Sequence, residues 1–108
     1  MGLADDKKLS IVFRIESGCL GPEGNSHVDQ FCSYAQSRFE SLFPAYLNWV
    51  VVPRHDKTLP EMDFAINGRQ LGREHAKRYL AHFDQEIDQF EMNVFDELPE
   101  MIDQYFGR

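Results

Sequence analysis

Leu9-Ser10-Ile11-Val12-Phe13-Arg14-Ile15-Glu16 runs straight into Ser17-Gly18-Cys19-Leu20-Gly21-Pro22-Glu23-Gly24-Asn25-Ser26, and the reading of this junction decides the fold. In the first segment Leu9, Ile11, Phe13 and Ile15 alternate with Ser10, Val12, Arg14 and Glu16. A period of two predicts a half-buried strand, because successive side chains point to opposite faces of a sheet. Three glycines and a proline then end it. Downstream, Val28, Phe31, Cys32, Ala35, Phe39, Leu42 and Phe43 recur at steps of three and four, the apolar stripe of a helix. Ser26 with Asp29 reads as an approximate capping box at its start. Pro44 reads as its stop, because the residue before a proline resists the α conformation.

Tyr46 to Val52 is a second strand, with Leu47, Trp49 and Val51 on one face and Tyr46, Asn48, Val50 and Val52 on the other. Both faces are largely apolar, so this strand is expected at the centre of the sheet. Glu61 to Ile66 is a third strand, with Met62, Phe64 and Ile66 inward. Asn67-Gly68 signals a tight turn, and Arg69-Gln70-Leu71 after it is a marginal fourth strand. Arg73 to Phe83 reads as a second helix. Asp84 reads as the N-cap of a last helix carrying Ile87, Phe90, Val94, Leu98, Met101, Ile102 and Tyr105. Pro99 is expected to kink that helix or split it near Leu98.

The expected fold is α+β or small α/β: a three-stranded mixed sheet in element order β-α-β-β-α-α, with helices packed on it. The first two strands are expected to be parallel through a right-handed crossover. The second and third are expected to form an antiparallel hairpin. The preferred sheet order is 1-2-3; the alternative is 1-3-2. Residues 1–8 read as a flexible N-terminal tail and residues 9–108 as a single globular domain, the usual size for one core.

The formal net charge is −7, unevenly spread. Residues 54–83 carry six bases against four acids; residues 84–108 carry eight acids against Arg108 alone. An acidic balance argues against general nucleic-acid or anionic-membrane binding, which needs clustered Lys and Arg. The longest uninterrupted apolar run is Trp49-Val50-Val51-Val52, too short for a membrane span. Leu3-Ala4 is followed at once by Asp5-Asp6-Lys7-Lys8, which does not read as a signal peptide. The expectation is a cytoplasmic protein with reduced cysteines, no metal and no cofactor.

Cys19 lies between a strand end and a helix start, where thiols are activated in some α/β proteins. His27, at the helix start, is the nearest base, so Cys19 and His27 are the candidate catalytic pair. The loop nevertheless lacks the arginine of cysteine-based phosphatase loops, the Gly-Lys-Ser/Thr ending of a P-loop and the Gly-x-Gly-x-x-Gly fingerprint. Its simplest reading is a turn whose glycines supply positive φ. Arg69, Arg73 and Lys77 recur at steps of four on what reads as one helical face. With Arg54 and His55 they are candidate ligand-binding residues for a phosphate-bearing ligand or acidic partner; the competing reading pairs them with the acidic last helix. His27, His55, His75 and His82 are too scattered for a metal site.

Val12, Val50 and Val52, extended by Ala65, form an apolar patch on the second sheet face, rimmed by Arg14, Glu16, Glu61 and Asp63. An apolar centre with a polar rim is interface anatomy. Association with itself as a homodimer, or with another protein, is therefore the leading functional expectation. The alternative is a small enzyme or ligand-binding module using Cys19, His27 and the 54–57 loop. A C-terminal segment folded across the patch would remove the need for a partner.

Overall fold

The computed structural model describes residues 3–108; Met1 and Gly2, the start of the expected tail, lie outside the described residues. The class is α+β, with a mixed four-stranded sheet and three α-helices. The strands are β1 (Leu9–Ile15), β2 (Leu47–Pro53), β3 (Met62–Ile66) and β4 (Arg69–Leu71). The helices are α1 (Gly24–Phe39), α2 (Arg73–Ala81) and α3 (Ile87–Phe106). Short 3₁₀ turns occupy Asp5–Lys7 and Ser17–Leu20. The Leu3 amide donates to the Ala45 carbonyl at 2.8 Å. The chain divides into two compact units, one ending at Gln70 and one spanning Leu71–Arg108.

In the first unit the sheet order is β2-β1-β3-β4. This corrects both the 1-2-3 and the 1-3-2 expectation. β1 pairs with β2 in parallel, Leu9 opposite Leu47 and Phe13 opposite Val51. It pairs with β3 antiparallel, Leu9 opposite Ile66 and Phe13 opposite Met62. β2 and β3 therefore flank β1 and form no hairpin. Burial explains the order: Leu9, Ile11, Phe13 and Ile15 are at most 1% exposed, so β1 takes the centre. The two apolar faces of β2 suggest a central strand, but on its second face Val50 is 42% exposed.

Phe39 joins helix to sheet, edge-on to Phe13 at 5.7 Å and stacked on Trp49 at 4.9 Å. The Trp49 indole N–H donates to the Leu42 carbonyl at 3.0 Å, so the ring is hydrogen-bonded as well as buried. The marginal fourth strand does form. Asn67 and Gly68 both have positive φ, at 51° and 78°, as a two-residue type I′ hairpin turn requires.

Helix boundaries depart from the sequence reading at four places. α1 begins at Gly24, so Ser26 lies inside the helix rather than capping it. It ends at Phe39, short of Pro44; Leu42 and Phe43 leave the stripe, and Phe43 takes a positive φ of 51°. In the second unit Asp84 closes α2 rather than opening α3. It takes φ 62°, its amide donates to Ala81 and that of Gln85 to Leu80, which is the Schellman arrangement. Glu86 is the real N-cap of α3, its carboxylate accepting from the amides of Asp88 and Gln89. α3 runs unbroken through Pro99, and Gly107 ends it at φ 74° with a second Schellman pair.

Gly24 is required sterically. A Cβ placed there would sit 1.8 Å from the Ser17 carbonyl oxygen, so the loop can close onto α1 only over a bare Cα. Nothing lies within 4 Å of the corresponding position at Gly18. Gly24→Ala is expected to lower unfolding free energy by about 2 kcal/mol or more in chemical denaturation, and Gly18→Ala to leave it within about 0.5 kcal/mol. Equal midpoints for the two variants would refute this account of the loop.

Candidate functional site

The loops bearing the sequence candidates meet at the C-terminal end of β1. β2 runs parallel to β1 and β3 returns antiparallel on its other side. The chain from 54 to 61 must therefore cross the end of β1. Two backbone bonds pin the crossing: Arg54 N–H to Ile15 O at 2.8 Å and Arg14 N–H to Glu61 O at 2.7 Å. The loop carrying Cys19 leaves β1 at the same end.

Arg54 organises this junction. Its guanidinium donates to Glu16, to the Leu59 carbonyl at 3.0 and 3.2 Å, and to the Lys57 carbonyl at 3.3 Å. Glu61 lies 3.8 Å away, and Lys57 is the same distance from Glu16. A fork so committed to its own loop has little left for a ligand anion. Asp56 folds the tip of the loop by accepting from the backbone and hydroxyl of Thr58 at 2.9 and 2.6 Å, which lowers its pKa. His55 is exposed on this tip.

Cys19 is exposed, but burial of the thiol and then the carboxylates of Glu16 and Glu61 raise its pKa above the ordinary cysteine value. An activated thiol needs the opposite shift, from a cation or a helix N-terminus. His27 sits half-buried in the first turn of α1. Cys32 is buried on α1, and desolvation with Asp29 pushes its thiol up to about 11. The amides around the loop are also engaged: Cys19 donates to Glu16, Gly21 to Gly18, Gly24 to Gly21 and Ser26 to Glu23. N–H groups that would cradle a phosphate are thus closing the turn.

The basic candidates separate. Arg69 is on β4 rather than on a helix, because the Asn67-Gly68 hairpin carries the chain back as a strand and α2 begins only at Arg73. Arg73 and Lys77 are on α2. Arg73 pairs with Asp88 at 2.5 Å and Glu91 at 2.6 Å on α3, so the charge attraction expected from the sequence is made at this residue. These two carboxylates raise its pKa, Glu91 contributing most. Lys77 lines a shallow hollow of about 280 Å³ with Ala81, Asp84, Gln85, Glu86 and Ile87. Among the described residues no group of three or more His, Cys, Asp or Glu is placed to hold a metal.

One residue absent from every sequence motif is central to the geometry. Gln36 of α1 reaches the outer edge of β2, donating from Nε2 to the Trp49 carbonyl at 2.7 Å and accepting at Oε1 from the Val51 amide at 2.8 Å. The second Nε2 hydrogen goes to Glu40 at 2.9 Å. Its only sequence signal is position: a polar amide one residue past Ala35 on a stripe that meets an uncharged strand.

The second sheet face carries Val12, opposite both Val50 and Asp63, and Ser10, opposite both Asn48 and Ala65. Val50 is exposed, while Val12, Val52 and Ala65 are half-buried. Arg14 and Asp63 form a 2.6 Å ion pair on this face, each side chain about 15% exposed; Arg14 also donates to the Pro60 carbonyl at 2.8 Å. No family model, curated protein or solved structure shows a significant match to this chain.

The thiol chemistry gives a direct test. At neutral pH Cys19 is expected to alkylate more slowly than a free cysteine in an unfolded peptide, its rate climbing only as pH passes the ordinary thiol range. Glu61→Gln removes one carboxylate and should speed labelling at fixed pH several-fold. Fast stoichiometric labelling of Cys19 at pH 7, followed by mass spectrometry, would reverse this assignment.

Proposed function

We propose that this protein works in the cytoplasm by association through the second face of its sheet, with a second copy of itself as the partner. The observation that carries this reading is the exposure of Val50, 42% open to solvent although it lies in the middle of a strand. Val12 stands directly opposite it, and Val52 continues the patch along β2. Apolar side chains clustered on an open sheet face are what protein interfaces bury. The Arg14–Asp63 pair gives the patch a fixed polar border, and charges held to one another in this way need no new partner when the face is covered.

Support also comes from the alternative site. A thiol shifted toward its protonated form, with Arg54 committed to its own loop, is poorly suited to nucleophilic catalysis or anion binding. No helix among the described residues is long and apolar enough to cross a membrane.

Sedimentation from low to high micromolar concentration tests the reading. The unmodified protein is expected to shift from monomer to dimer across that range. Val50→Glu places a charge at the centre of the patch and should weaken the dimer at least about tenfold, equivalent to roughly 1.4 kcal/mol. A monomer throughout the range would overturn the proposal.

A further inference from the structure

The outer edge of β2 is one of the two edges of the sheet, β4 being the other, and apart from its terminal proline its sequence is unprotected. Leu47-Asn48-Trp49-Val50-Val51-Val52-Pro53 carries no charge and is rich in β-branched residues. Edge strands of soluble proteins are usually blunted by charges, bulges or proline, because their open N–H and C=O groups template pairing with another strand. An uncharged run with high β propensity is the sequence type that self-pairs.

The direction of each backbone group follows from the pairing with β1. Leu9 N–H donates to Tyr46 O, and Arg54 N–H donates to Ile15 O. The even-numbered residues of β2 therefore face β1, and Leu47, Trp49, Val51 and Pro53 face outward. Leu47 gives its N–H to the Phe43 carbonyl at 3.0 Å. Pro53 has no N–H. The Trp49 carbonyl and the Val51 N–H are both held by Gln36.

The geometry of that last contact is specific. In a parallel ladder, one residue of the incoming strand donates its N–H to residue i−1 and accepts from the N–H of residue i+1. The Gln36 carboxamide does both, at Trp49 and Val51, and so stands where the peptide group of an added strand would stand. Glu40 fixes its orientation, since a carboxylate can only accept and therefore holds the amide nitrogen on its own side. A hollow of about 400 Å³, lined by Lys8, Gln36, Glu40, Asn48 and Trp49 among others, lies at the Leu47–Trp49 end of the strand.

We infer that Gln36 is an intramolecular guard of the β2 edge, and that the strand it excludes is the β2 of a second copy. An antiparallel two-fold pairing centred on Val50 sets Trp49 against Val51 of the second copy. That pairing uses the Trp49 carbonyl and the Val51 amide of each chain, the two groups that Gln36 holds. The strand itself brings no charge to the pairing, and a two-fold axis makes the contact closed rather than fibrous.

The test compares Gln36→Ala with the unmodified protein by sedimentation and by hydrogen exchange at the Val51 amide. The fold is monitored by fluorescence of Trp49, the one tryptophan of the chain. In the unmodified protein the Val51 amide should be protected at every concentration. In Gln36→Ala it should exchange at least tenfold faster when dilute, and regain protection as the protein is concentrated and associates. Association through the open sheet face leaves the Val51 amide as it was, so this readout separates the edge from the reading proposed above. If Gln36→Ala does not fold, Gln36→Met keeps the volume and removes both bonds, and is held to the same criteria. An unprotected Val51 amide in the unmodified protein, or no gain in association on removing the carboxamide, would overturn the inference.

Discussion

The first unit depends on one strand being hydrogen-bonded along both edges. β1 meets β2 in parallel and β3 antiparallel, and four of its side chains are shut off from water. Those pairings fix the register of the sheet, since a shift by one residue would turn Leu9, Ile11, Phe13 and Ile15 to the opposite face. They also dictate that the chain from 54 to 61 crosses the end of β1. Arg54, Glu16 and the carbonyls of Lys57 and Leu59 are arranged as they are because that crossing must be held closed.

The same crossing accounts for the glycine loop. The turn after β1 closes so tightly onto α1 that Gly24 meets the Ser17 carbonyl, and its amides are consumed within the turn. Cys19 is left on the outside, near Glu16 and Glu61. What resembles a phosphate or thiol loop in composition is a loop whose polar groups serve closure. On β2 of this unit, Val50 is the large apolar side chain left exposed.

Local features of the fold were legible in the sequence because their causes are local. The alternation of β1, the stripe from Val28 to Phe39 and the Asn67-Gly68 hairpin each follow from a few adjacent residues. Sheet order was not legible, because two apolar faces on β2 have the same pattern whether both are buried or one is open. Asp84 misled for a related reason: an acid before an acidic run resembles an N-cap, but an aspartate also tolerates the left-handed conformation that ends a helix. Of the association surface proposed above, Val12, Val50 and Val52 are placed on one sheet face by alternation alone. Gln36 could not, since its role exists only once α1 lies beside the edge of β2.

The position of β1 also shapes the order in which the protein can be made. Its parallel neighbour emerges from synthesis soon after α1, but its antiparallel neighbour comes later, with Asp63 49 positions beyond its partner Arg14. At ordinary elongation rates the interval between the two strands is on the order of seconds. Throughout it a strongly hydrophobic strand stands with one bare edge, the condition under which nascent chains pair wrongly. Chains that have exposed β2 but not yet β3 are therefore the ones expected to be most prone to wrong pairing.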